Sequence, residues 1–105
     1  MKYNYIVVRD DLPTEQQIVQ SSHAAYEAGT HLEENSSSVN HLIVLSVPNE
    51  HALLETYKKL EQRTIRSILF REPDISNQAT ALCTEPIYGS RRKFFSKYSL
   101  WRKGK

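Results

Sequence analysis

Two short stretches of this sequence carry side chains able to do chemistry. Residues 16–25, QQIVQSSHAA, place Gln16, Gln20 and His23 at helical spacing, with Glu27 one turn further on. Positions three and four apart share a helix face, so these four fall within roughly 60° of one another. Residues 72–80, EPDISNQAT, gather Glu72, Asp74, Ser76 and Thr80 around a proline turn. Amides and hydroxyls donate hydrogen bonds, carboxylates accept protons, and imidazole is the side-chain type that titrates near neutrality. On spacing alone, the first stretch is equally a solvated helix face. Acid and hydroxyl residues in a turn commonly satisfy their own backbone, so the second stretch has a structural reading as well.

Other chemistries find less support. His23, His31, His41 and His51 are scattered, and no cysteine partners them. A structural zinc site needs four ligands and a catalytic one three, so no metal site and no cofactor are expected. Cys83 is the one cysteine and lies among apolar neighbours. It reads as a small buried residue, forms no internal disulfide and suits a reducing compartment. No G-x-S-x-G elbow, P-loop or G-x-G-x-x-G occurs, which leaves phosphate cradling and a serine nucleophile without a motif.

The elements that must position these residues follow from hydrophobic patterning. Tyr3 to Val8 reads as a strand whose end, Ile6-Val7-Val8, is apolar without a break, as in a strand covered on both faces. Pro13 or Thr14 opens a helix that runs to His31 or Glu33. Ile18, Val19, Ser22, Ala25, Tyr26 and Gly29 share one arc of it, the arc expected to face the sheet, with the Gln16–Gln20–His23 stripe on the other side. Asn35 to Ser38 is a loop, Val39 to Val47 a second strand, and Asn49 a cap for the helix EHALLETYKKLEQ. Thr64 to Phe70 and Ala79 to Thr84 are two further strands, and Ile87 to about Leu100 offers a basic helix. The order β-α-β-α-β-β-α implies an α/β single domain with a four-stranded mixed sheet flanked by helices. Its first two steps are parallel crossovers and its last pair is antiparallel.

A chain of 105 residues holds one core. Its charge is uneven. Residues 91–105, RRKFFSKYSLWRKGK, hold seven basic residues and no acid, while residues 1–90 hold seven basic residues and all twelve acids. This divides the chain into a core, 1–90, and a basic aromatic C-terminal helix or tail, 91–105. A positive segment on an acidic body attracts polyanions, although it also suits a solvated tail or one folded back on the body. Arg91, Arg92, Lys93, Lys97, Arg102 and Lys103 alternate with Phe94, Phe95, Tyr98 and Trp101. Basic and aromatic residues so interleaved can neutralise phosphates and stack bases of single-stranded RNA, or the aromatics can pack the last helix on the sheet. No apolar run approaches the roughly 20 residues that cross a bilayer, and the N-terminus lacks a signal peptide's apolar region. These features lead to the expectation of a cytoplasmic protein without membrane contact.

The opening KYNYIVVRDDL, followed by a helix with Gln20-x-x-His23-Ala24, resembles the type 2 peptidyl-tRNA hydrolase family. That family opens with a strand, Arg-x-Asp-Leu, and a helix bearing G-K-x-A-x-Q-x-x-H-A. The matching positions are Arg9, Asp11, Leu12, Gln20, His23 and Ala24. The resemblance extends to element order and covers nearly the whole chain. It implies hydrolysis of the ester between a peptidyl group and the 3′ end of tRNA by direct water attack, without cofactor, and leaves a homodimer as an option for assembly.

The sequence departs from the family at two points. The family's essential helix lysine is Gln16 here, and its D-A-G-x-T turn is Glu72-Pro73-Asp74-Ile75-Ser76, with Thr80 matching the threonine that opens the last strand. By resemblance, Glu72, Asp74 or His23 would handle the proton of water. Gln16, Gln20, Ser76 and Thr80 would supply hydrogen bonds to the oxyanion. A glutamine amide cannot supply the charge of lysine, so the alternative is a catalytically impaired tRNA- or RNA-binding module, or a protein-interaction module, of the same fold.

Overall fold

The computed structural model describes residues 1–32 and 39–103. The expected Asn35–Ser38 loop and the Glu33 helix end lie outside them. The described elements are β1 (Tyr3–Arg9), α1 (Thr14–His31), β2 (His41–Val47), α2 (Glu50–Gln62), β3 (Ser67–Glu72) and β4 (Gln78–Thr84). A 3-10 turn at Pro73–Ile75 joins β3 to β4, and a 3-10 helix at Gly89–Phe95 leads into β5 (Ser99–Leu100).

The sheet runs β3-β4-β1-β2-β5. β1 and β2 are parallel, as the βα patterning requires, and the remaining pairs are antiparallel. β1 is central and buried from Asn4 to Arg9, which explains its unbroken Ile6-Val7-Val8 run. Alternation along it divides the core in two. Tyr5 and Val7 face α2 with Leu45, Leu53, Leu60 and Phe95. Ile6 and Val8 face α1 with Ala24, Ala28, Ala81 and Cys83. Asn49 caps α2 by accepting the Ala52 N–H at 2.9 Å.

Three expectations are corrected. Among the described residues the sheet has five strands, not four. The basic segment forms no α-helix. Gly89, at φ +68°, sets the chain into a 3-10 helix, and Tyr98 to Trp101, residue types that favour strands, return to the open edge of β2. There Leu100 pairs with Leu45, and the Trp101 N–H reaches the Val44 carbonyl at 2.9 Å. An unpaired sheet edge outweighed a sparse helical periodicity.

The third correction concerns α1, which is rolled relative to expectation. Gln17, Gln20, Ala24 and Ala28 are its buried residues, whereas Ile18 is 57% exposed and Tyr26 72% exposed. Small alanines let the helix lie close on the sheet. The buried amides are tolerated because each finds partners: Glu72 and Thr80 of the sheet for Gln20, and the Asp10 and Leu12 carbonyls with the Trp101 indole for Gln17.

Candidate active site

Seen from α1, the roll turns the glutamine stripe toward β3 and β4. Gln20 is fully buried, and every polar atom of its side chain is matched. Its Oε1 accepts the Thr80 hydroxyl at 2.8 Å. Its Nε2 donates to Glu72 Oε1 at 2.8 Å and to Gln16 Oε1 at 3.3 Å. The amide can point only one way, because reversing it would set its oxygen against the Glu72 carboxylate.

Thr80 reaches Gln20 because β4 is bulged. Phe70 pairs with Ala81 and Arg71 with Ala79, which leaves Thr80 without an opposing residue. An extra residue in one strand re-aims a side chain, and here Thr80 and Ala81 both turn to the α1 side. On the β1 side the pairing ends at Val8 and Ala81, and two charged side chains satisfy the backbone groups of Ala79 instead. The Ala79 N–H donates to Glu50 Oε2 at 2.8 Å, and its carbonyl accepts from Arg9 Nη1 at 3.1 Å.

Arg9 is itself held on two sides. It forms a bidentate pair with Asp11, Nε–Oδ1 2.7 Å and Nη2–Oδ2 2.9 Å, and Nη1 also donates to Gln78 Oε1 at 2.8 Å. The hydrogen bond from Arg9, above all, holds the Asp11 carboxyl below the usual carboxylate range, and the same bond raises the Arg9 pKa. Arg9 and Asp11 were visible in the sequence only as matches to R-x-D-L. Their task of pinning the bulge, and that of Glu50 and Gln78, was not legible there.

Glu72 closes β3 and caps the following 3-10 turn. Its Oε2 faces the Asp74 N–H at a long 3.5 Å, while Oε1 is anchored by Gln20. Ser76 and Asn77 then turn the chain with φ +59° and +62°, so the loop back to Thr80 is tight. Asp74 and Ser76 are exposed on this turn. Among the described residues their side chains make no hydrogen bond to Gln16, Gln20, Glu72 or Thr80. His23 is exposed and stacks on Phe70, with ring centroids 4.5 Å apart at 2°. The structure thus joins Gln16, Gln20, Glu72 and Thr80 into one network, sets His23 beside it, and leaves Asp74 and Ser76 at its rim.

This network presents one partly free carboxylate oxygen and one exposed amide. Among the described residues, Gln16 Nε2 makes no hydrogen bond, while Gln16 Oε1 accepts from Gln20. No group of three or more His, Cys, Asp or Glu among the described residues could hold a metal ion.

The peptidyl-tRNA hydrolase PTH2 family matches residues 3–97. The chain belongs to this family. Membership supports a hydrolase-type function and a general relation to tRNA. No curated protein matches. A solved structure of a protein of unknown function from Agrobacterium tumefaciens strain C58 is similar, with a TM-score of 0.72 and 13% identity. The likeness covers 96% of this chain and 98% of that one, and at this identity it speaks to fold alone. Of the network, Gln20 opens the Q-x-x-H-A stretch, while Arg9 and Asp11 of the R-x-D-L stretch pair beside it, where Arg9 meets the Ala79 carbonyl.

The basic residues are distributed more widely than their sequence run suggests. Arg91 donates to the Thr64 carbonyl at 3.0 Å. Arg92 lies 3.6 Å over the Tyr3 ring and donates to the Tyr5 hydroxyl at 2.9 Å. Lys97 sits 5.4 Å from the Phe94 ring centroid. Phe95 is buried and stacks on Tyr5 with centroids 3.9 Å apart. Lys93, Arg102 and Lys103 are exposed. No helix among the described residues is long and apolar enough to cross a membrane.

Proposed function

We propose that this PTH2-family protein hydrolyses the ester between a peptidyl group and the 3′ end of tRNA by direct attack of water. One observation carries the reading: Glu72 is gripped through one carboxylate oxygen by an amide that Thr80 in turn locks. The other oxygen is held only by a long contact and can take the proton of water. The water oxygen bonds to the ester carbonyl carbon. Its proton passes to Glu72, and the carbonyl oxygen gains the negative charge of a tetrahedral intermediate. As the intermediate collapses, the ester C–O bond breaks and the ribose oxygen leaves with the proton from Glu72.

The exposed Gln16 Nε2 is the donor for the oxyanion. Gln20 has no donor to spare, because both its N–H groups are engaged, so its role is to position Glu72 and Gln16. Thr80 likewise spends its proton on Gln20. His23, Asp74 and Ser76 line the approach. The exposed Lys93, Arg102 and Lys103 draw in the polyanion, in cytoplasmic surroundings where charged tRNA is found.

Deacylation of an N-blocked aminoacyl-tRNA by the purified protein tests the reading, with Glu72→Ala as the inactive control. Release no faster than in buffer at high protein concentration would defeat it. The neutral Gln16 favours a second reading, a slow or inactive member that retains tRNA binding. Salt-dependent tRNA binding without turnover would support that one.

A further inference from the structure

The roll of α1 leaves the α1 side of β2 uncovered. A groove of about 290 Å³ opens there, lined by Ile6, Gln17, Ile18, Leu42, Val44 and Trp101, with Ser21, Ser22 and Ala25 on its helix wall. Ile18 and Leu42 are 57% and 60% exposed, and no charged residue lines the groove. Its size, at the bottom of the range of ligand pockets, suits one flat ring system. Trp101 is fixed in its wall by two bonds: its backbone N–H meets the Val44 carbonyl, and its Nε1 donates to Gln17 Oε1 at 2.6 Å. Gln17 in turn donates to the Leu12 carbonyl at 2.6 Å, so the wall is anchored to the loop that follows the R-x-D-L strand.

We infer that this groove holds a nucleobase of the single-stranded acceptor end, a few nucleotides from the reacting ester. The inference rests on the tRNA reading above for its ligand and names where that ligand runs. The groove and the Gln16–Glu72 network flank the same first turns of α1. A helix with its side chains is about 10–12 Å across, a span that a short single strand covers. Charge complementarity selects the occupant. Arg102 and Lys103 continue the chain from Trp101, are exposed, and form no ion pair among the described residues. An apolar slot with an indole in its wall, and two cations on the residues that follow that indole, matches a base with its phosphates. A second copy of this chain fits less well, because a two-fold contact across the groove would oppose these cations to themselves.

Trp101 is the one tryptophan of the chain, so its emission reports the groove directly. The probe is a short single-stranded oligoribonucleotide with the tRNA acceptor-end sequence, titrated into the full-length protein at low salt. Saturation is expected to change the Trp101 emission. Leu42→Glu should weaken binding by about tenfold or more, since it puts a carboxylate beside the base. Ile18→Glu, at another exposed position, serves as the second variant, and melting curves confirm that each is folded. In deacylation assays both variants should raise KM more than they lower kcat. Emission indifferent to saturating RNA overturns the inference, as does wild-type affinity in both folded variants. A dimer without RNA that both variants dissociate also overturns it, and identifies the groove as a self-interface. An emission change lost in both variants, in a protein without hydrolytic activity, supports the groove while defeating the hydrolase reading.

Discussion

Thr80 and Gln20 share a 2.8 Å hydrogen bond across 60 residues of sequence, and neither side chain has any exposed surface. The bond needs a bulge in β4 at one end and a rolled helix at the other. Through it the fold fixes which way the Gln20 amide points, and therefore which group meets Glu72.

Thr80→Val keeps the shape of the side chain and removes the donor. Gln20 Oε1 is then buried without its partner, at a cost of about 1–3 kcal/mol in unfolding free energy. Urea unfolding measures it. Thr80→Ser should recover most of the loss, because it restores the hydroxyl, whereas an equal loss in Ser and Val would mean that packing, not the bond, matters.

Gln16→Lys puts a cation at the edge of the network, where the resemblance to the family implies a lysine. Gln16 and Glu72 both contact Gln20 Nε2, at 3.3 and 2.8 Å, so an ammonium at position 16 comes within reach of the carboxylate and of an oxyanion. Oxyanion donors are worth about 10²–10³ in kcat, and a charged one exceeds a neutral one. The expected gain in deacylation rate is on the order of tenfold or more. An unchanged rate would remove position 16 from the chemistry.

Asp11 makes stability depend on acid. Its pKa in the folded protein is lowered, first by the hydrogen bond from Arg9. A lowered carboxyl contributes stability above its unfolded value, near about pH 4. That contribution disappears as pH falls further, through the folded value. Asp11 is partly exposed, so screening keeps the effect small. Thermal melts from pH 7 down to 3 should show Asp11→Asn less stable than wild type at neutral pH, with the gap closing in acid. A constant gap would contradict this account of the pair.

Phe95→Ala asks whether the basic segment belongs to the domain. Phe95 is 3% exposed and stacked on Tyr5. Truncating a buried phenylalanine costs about 3–5 kcal/mol. The expected fall in Tm is about 10 °C or more in a calorimetric scan. A fall of a degree or two would show that the segment rests on the domain without supporting it.

Much of this architecture was legible in the residues. α2 follows the residues its cap and periodicity mark, and β1 and β2 follow their apolar runs closely. What stayed hidden was the rotation of α1 and the end of the chain, for related reasons. Ile18, Val19 and Tyr26 look like a core face when periodicity is read alone, yet the sheet below offers Thr80 and Glu72 to amides beside an apolar surface that the small Ala24 and Ala28 cover. The helix is oriented by partners some 50–60 residues away. Likewise RRKFFSKYSLWRK has helical spacing of aromatics, but an open β2 edge recruits its last residues. At the site, Gln16, Gln20, Glu72 and Thr80 could be singled out by resemblance. That Gln20 has no donors to spare depends on geometry that only the folded chain has.

β5 is two residues long, and its importance is out of proportion to its length. Strand ladders propagate wherever a row of backbone groups stays unpaired. β5 occupies part of the outer row of β2, and the chain departs from it as Arg102-Lys103, charges that an incoming strand must displace. It therefore acts as a stopper on the sheet. Proteolysis after residue 98 would leave that row for the next molecule to fill, and the first symptom would be turbidity in the tube.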